Sequence, residues 1–365
     1  MRAPDVLNEA RRAMDICNAC RYCEGYCAVF PAMELRRTFS DGDLDYLANL
    51  CHNCRGCYYA CQYAPPHEFG INLPRTFAEL RVETYAAYAW PRALAGLFAR
   101  NGIVVALAAA LGVALVLLLS MALQSGDVLY GVHEGAGAFY VLIPFAAMTT
   151  VAGATFGFAL LAMGASTVRF WRGTGSGGLP GPRALLRACA DVLTLRNLGG
   201  GGHGCNDLDE GFSQTRRWFH HALFYGFGLC FASTTVAAAY DHFGGWIAPY
   251  PFWSWPVVLG TLGGIGMVVG TVGLFGLKLA GDSTPAAQRL LGADLALLFL
   301  LGMTAATGLL LLALRATGAM GVLLAIHLGF VLALFGVMPY SKFIHGMFRT
   351  AALVRNAKEQ GPSHG

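Results

Sequence analysis

Hydrophobic positions follow two regimes along the chain. Over residues 1–16, 41–50 and 73–89 they recur every three or four places among charges, as in Leu44, Leu47 and Leu50. This spacing predicts short amphipathic helices, the second opening near Asp43. Beyond residue 100 the polar positions disappear over six stretches, roughly 103–123, 136–163, 219–240, 257–279, 291–314 and 319–344. Each is close to the ~20 residues that cross ~30 Å of hydrocarbon. The expected fold is all-α, a helical head followed by a six-span transmembrane bundle.

Composition agrees: 56% of residues are hydrophobic and only 13% charged, too apolar for an ordinary soluble protein. The net charge of +4 does not indicate nucleic acid, because the arginines flank apolar segments and do not line one soluble face. Arg169, Arg172, Arg183, Arg187, Arg196, Arg216 and Arg217 fall between the second and third spans, and Lys278 and Arg289 between the fourth and fifth. The alternate loops carry only Arg315. The positive-inside rule then predicts both termini cytoplasmic, and a multi-pass protein of a bacterial inner membrane is expected. No signal peptide is expected, since Asp5 and Glu9 stand where its apolar core would be.

Eight of the eleven cysteines form two runs, Cys17, Cys20, Cys23, Cys27 and Cys51, Cys54, Cys57, Cys61, each reading CxxCxxCxxxC. That spacing wraps three thiolates around one iron-sulfur cube and gives the fourth to a second cube. Cys17, Cys20, Cys23 and Cys61 are therefore assigned to one [4Fe-4S] cluster, and Cys51, Cys54, Cys57 and Cys27 to the other. Zinc knuckles space their cysteines differently, and disulfides would need an oxidising compartment. Ala28 and Gln62 follow the last cysteine of each run where many ferredoxins have proline.

Histidines supply a second chemistry. His327 and His345 lie 18 residues apart, five turns of an uninterrupted helix. His220 and His221 open the third span and His242 closes it. Antiparallel spans would bring His220 or His221 level with His345, and His242 level with His327, as bis-imidazole ligands of b-type haem. One haem is expected at the inner pair, and the outer pair would make a second. Arg216, Arg217, Lys342 and Arg349 are placed for haem propionates or lipid headgroups. His133 with Glu134 is a rival outer ligand, and Asp294 is a candidate for quinone protonation.

Between the second and third spans, GTGSGGLPGP reads as a linker and residues 183–197 as an interfacial helix. His203 and Cys205, near Asp207, Asp209 and Glu210, make no metal site by themselves, so a polar docking loop is expected. The glycines of the fourth span are read as helix-packing positions. The domains expected are 1–90, the two-cluster head; 91–165, spans one and two; 166–218, the loop; 219–350, spans three to six with b haem; and 351–365, a polar tail.

NACRYCEGYCAVFPAM, NLCHNCRGCYYACQYAPPHEF, RRWFHHALFYGF and PYSKFIHGMFR together resemble the tricarballylate and citrate utilisation protein B family over nearly the whole chain. The resemblance implies a membrane electron-transfer protein with two [4Fe-4S] clusters and b haem. Such a protein reoxidises a cytoplasmic FAD-dependent dehydrogenase that desaturates tricarballylate, and passes the electrons to membrane quinone. A similar module occurs in a cobalamin-pathway monooxygenase, and the last helix resembles the cytochrome b subunit of respiratory nitrate reductase. No flavin fingerprint, nucleophile triad or phosphate loop is visible, so the organic substrate is expected to be handled elsewhere. A quinol-driven reductase would use the same wire backwards; a tricarboxylate transporter would have no use for eight clustered cysteines.

Overall fold

The computed structural model describes residues 4–361. Among them every regular element is helical, with a single isolated β-bridge between Cys205 and Ser213. The head contains α1 (Pro4–Cys20), α2 (Val29–Glu34), α3 (Asp41–Leu50), α4 (Gly56–Tyr59) and α5 (Leu73–Tyr88). α3 starts where Ser40 and Asp43 form a reciprocal capping box, which satisfies two backbone donors that the first turn leaves free. Asn72 caps α5 through the Arg75 amide, with Pro74 in the first turn, where a missing N–H costs nothing. Leu44, Tyr46, Leu47, Phe77 and Met14 are fully buried between α1, α3 and α5.

Six helices of the described residues are long and apolar enough to cross a membrane. α6 (Asn101–Leu123) follows a 3₁₀ segment, Arg92–Arg100. The short α7 (Gly126–Leu129) and α8 (Ala138–Leu142) precede α9 (Phe145–Gly173). α10 (Pro182–Leu193) then leads through a glycine-rich loop to α11 (Thr215–Gly244), α12 (Trp255–Ala280), α13 (Leu291–Leu314), α14 (Met320–Val337) and α15 (His345–Glu359). Leu129, Leu142, Leu311 and Met320 form a small core at the end of the bundle far from the head.

Two spans differ from expectation. The second begins at Phe145 and not at residue 136, because Pro144 ends α8 and restarts the helix. It also runs past the apolar stretch to Gly173, since Arg169 hydrogen-bonds the Ala89 carbonyl and Phe170 stacks on Phe348 inside the head–bundle seam. The last span stops at Val337. Pro339 lies in a 3₁₀ turn, a second turn covers Lys342–Ile344, and His345 opens a new helix. His327 and His345 are therefore not on one continuous helix.

In place of a polar tail after residue 350, α15 continues to Glu359 with Phe348, Ala352 and Leu353 buried against the head. Four charges lock it there. Asp43 meets Arg36 at 2.7 Å and Arg355 at 3.0 Å, while Glu359 meets Arg36 at 2.6 Å and Arg355 at 2.7 Å. Both guanidinium groups flank the buried Tyr46 ring, at 4.9 and 4.1 Å from its centroid. α10 rests on α15 through Ala188, leaving Leu186 and Leu193 exposed.

α11 and α12 approach closely because glycines face backbone. A Cβ on Gly226 would lie 2.6 Å from the Met267 nitrogen, and one on Gly263 would lie 2.7 Å from the Cys230 nitrogen. Gly263, Gly266 and Gly270 of the fourth span thus serve helix packing. Gly112 and Gly329 make a similar crossing between α6 and α14.

Candidate redox centres

Within the cysteine runs, Arg21, Asn53 and Arg55 take the left-handed conformation, unusual for residues with a side chain. These reversals sit between consecutive cysteines and turn the chain tightly enough to gather their sulfurs. One pocket is lined by Cys17, Cys20, Cys23 and Cys61, together with Cys57. Burial, then Cys61, Cys23 and Cys20 in that order, pushes the Cys17 thiol up to about 12. Burial followed by Cys54 and Cys51 holds Cys27 well above its ordinary value; Cys57 responds to burial and then to Cys54, Cys27 and Cys51. Cys61 thus lies among the thiols of the first run and Cys27 close to those of the second, while Cys23 and Cys57 stand near both groups.

Among the described residues no three His, Cys, Asp or Glu side chains converge as one metal ion would require. A tetrahedral zinc needs that convergence. A cube spreads its thiolates over different irons, and its positive charge reverses the mutual suppression of ionisation among clustered thiols. The two donor sets therefore fit clusters in composition and grouping. Amide groups also reach the sulfurs: the Asn53 amide lies 3.4 Å from Cys51 Sγ, and Gln62 Nε2 lies 3.7 Å from Cys20 Sγ.

His220 on α11 and His345 at the start of α15 face each other, ring centroids 6.3 Å apart and planes at 71°. Two imidazoles holding one iron through bonds of about 2 Å place their centroids about 6 Å apart. The Nδ1 of His345 is bound to the Lys342 carbonyl, which leaves its Nε2 free to ligate; His220 Nδ1 is buried without a partner. The separation would suit two imidazoles on one iron. His221 faces elsewhere, stacking on Tyr225 and hydrogen-bonding the Thr194 carbonyl at 3.2 Å.

The outer histidines do not meet. His327 lies 3.2 Å from Thr307 Oγ1 on α13, and His242 packs on Phe145 of α9. No ring contact joins them among the described residues. His133 hydrogen-bonds the Val128 carbonyl of the preceding α7.

The basic residues are engaged by protein partners. Arg217 caps the end of α10 through the Thr194 carbonyl. Lys342 pairs with Asp294, which Lys278 also meets at 2.6 Å. Arg216, one turn before His220, donates to the carbonyls of His52 at 2.9 Å and Asn53 at 2.7 Å. Arg349, one turn after His345, donates to the Cys51 carbonyl at 3.0 Å, and Arg81 to the same oxygen at 2.8 Å. Both histidines are thereby tied to the loop that carries Cys51 and Cys54. His203 and Cys205 belong to a docking loop: the Asn206 amide donates to the Cys54 carbonyl and Cys205 Sγ to the Leu198 carbonyl.

The model of the Citrate utilization protein B family matches residues 96–364, and that of the Citrate utilization protein B Fer4-like domain matches residues 10–87. The chain belongs to the citrate utilization protein B family. It is 50% identical over 353 residues to Citrate utilization protein B of Escherichia coli, an alignment covering 96% of this chain and 92% of that protein. No solved structure matches it. The Fer4-like domain of the family coincides with the cysteine-bearing head, and the second family region with the bundle.

Sequence reasoning missed Arg81, His52 and Arg55, and read Lys278 only as a topology charge. Arg81 had a signal in the register of α5, where a charge falls on the buried face. Arg55 reaches the carbonyls of Asp207 and Asp282 from distant loops, and no local pattern announces that.

Proposed function

We propose that this member of the citrate utilization protein B family is an electron-transfer subunit serving tricarboxylate utilisation. It would take electrons from the reduced flavin of a cytoplasmic tricarballylate or related dehydrogenase and deliver them to membrane quinone. The clusters and haem supply one-electron transfer when bound. Cys17, Cys20, Cys23 and Cys61 would hold one cluster, Cys51, Cys54, Cys57 and Cys27 the other, and His220 with His345 the haem. The observation that carries this reading is the pair Arg216 and Arg349. Each is bonded to the Cys51–Asn53 backbone and lies one helical turn from a proposed haem ligand.

The chain's own residues hold these positions rigidly. Arg81, Arg216 and Arg349 occupy carbonyls of the cluster loop, and their charges favour an added electron nearby. The excess of arginines on the head side supports a cytoplasmic head. The test is a dithionite-reduced minus oxidised spectrum of the purified chain with iron and acid-labile sulfide determined. A b-type α-band with about eight irons beyond the haem is expected. A chain with neither cofactor would overturn the reading.

A further inference from the structure

At the seam between head and bundle lies a chamber of about 350 Å³. Junctions of this kind commonly hold small molecules, and the volume is within the usual range. Asn53 and Arg55, on either side of Cys54, form part of its wall, and Lys342 forms another part. Because the Lys342 carbonyl accepts from His345, the chamber borders both proposed redox positions. Asp294, also in the wall, is already paired with Lys278 and Lys342.

Three atoms of wall residues are buried and unpartnered: the Tyr85 hydroxyl, Asn53 Oδ1 and Arg55 Nε. Tyr85 is 2% exposed. These atoms are sealed by protein; the donors that face open space are the ammonium groups of Lys278 and Lys342, each with donors beyond the one given to Asp294, and they favour a ligand with acceptor oxygens.

Immediately deeper along α6 and α13 runs an apolar groove of about 590 Å³. The chamber reaches Ile103 on α6 and Asp294 on α13, while the groove begins at Val105 and Leu295. It continues to Ala114, about 14 Å at the helical rise, past Phe275, Phe299 and Phe330. A polar head bearing oxygen acceptors on a long apolar tail fits both parts. A free tricarboxylate fits only the first.

We propose that the chamber and groove form the quinone site, the headgroup between Tyr85, the Asn53–Arg55 turn and Lys342, and the isoprenoid tail between α6 and α13. This rests on the electron-transfer reading and adds a place to it. The quinone carbonyls become hydroxyls with two electrons and two protons, while the partner's flavin hydroquinone loses the same number. The sum is flavin hydroquinone plus quinone giving oxidised flavin plus quinol.

The test is photolabelling of the purified full chain in lipid nanodiscs with an azidoquinone carrying an isoprenoid tail, after its iron and haem have been measured. Label is expected within residues 53–55, 78–114, 278–299 or 330–342, displaced by tail-bearing quinone. Lys278→Met, which leaves Asp294 paired with Lys342, should weaken displacement about three- to tenfold, the worth of one hydrogen bond. Ala110→Trp fills the groove and should weaken a tail-bearing competitor at least tenfold while sparing a tail-less one. Label elsewhere on a chain with its full iron complement, or displacement by anionic phospholipid and not by quinone, would overturn the site and leave the electron-transfer reading standing. Absence of iron and haem would overturn that reading, whatever the label does.

Discussion

Gly270 and Gly276 lie on the same helix and differ in what faces them. A Cβ on Gly270 would meet the Leu223 nitrogen at 2.5 Å, the Phe219 oxygen at 2.7 Å and Leu223 Cα at 2.8 Å, whereas nothing lies within 4 Å of one on Gly276. Ordinary van der Waals contact begins near 3.4 Å. Gly270→Ala therefore forces α11 and α12 apart by about 1 Å, and the obstructing backbone has no rotamer by which to yield. Overpacking of this kind costs about 1–3 kcal/mol. Gly276→Ala should stay within about 0.5 kcal/mol of the parent. Thermal unfolding in detergent, followed by intrinsic fluorescence, compares the three proteins, and haem content adds a local readout because Phe219 adjoins His220. Equal stability and equal haem in the two variants would refute the account of this helix crossing.

The cysteine pairing predicts that Cys61→Ser removes the cluster held by the first run, cutting iron and sulfide from about eight each to about four; loss of the second run's signal by electron paramagnetic resonance would reverse the assignment. His220→Ala and His345→Ala should each abolish the low-spin haem spectrum, while His221→Ala keeps it and loosens α10; the opposite result would exchange the two neighbours. Burial by itself raises the Asp43 carboxyl, but the Ser40 hydrogen bond and then Arg36 and Arg355 hold it below the usual range. Its stabilisation of the α15 dock is accordingly full above the unfolded carboxyl value of about 4 and is lost as pH falls through the lower folded value. Hydrogen exchange of α15 should show that loss, and Asp43→Asn should cost about 1–3 kcal/mol at neutral pH and flatten the profile; an unchanged profile would remove Asp43 from the dock.

Periodicity alone yielded the helical class, the six spans and the head helices α3 and α5, because the alternation of apolar and polar positions is imposed locally by the solvent each face meets. The proposed grouping of Cys61 with the first run and Cys27 with the second comes from the spacing alone, which is the one a cube demands. Choosing His220 over His221 required the structure: adjacent residues on a helix point about 100° apart, and only the placement of α15 shows which direction is filled. The break at Pro339, the burial of α15 and the arginine ties to the Cys51–Asn53 loop likewise depend on contacts between segments as distant as Cys51 and Arg349. Spacing along a chain reports what neighbouring residues share. Which charges neutralise each other across the seam, as Lys278 and Lys342 do with Asp294, is decided only when the packed helices bring them within hydrogen-bonding reach.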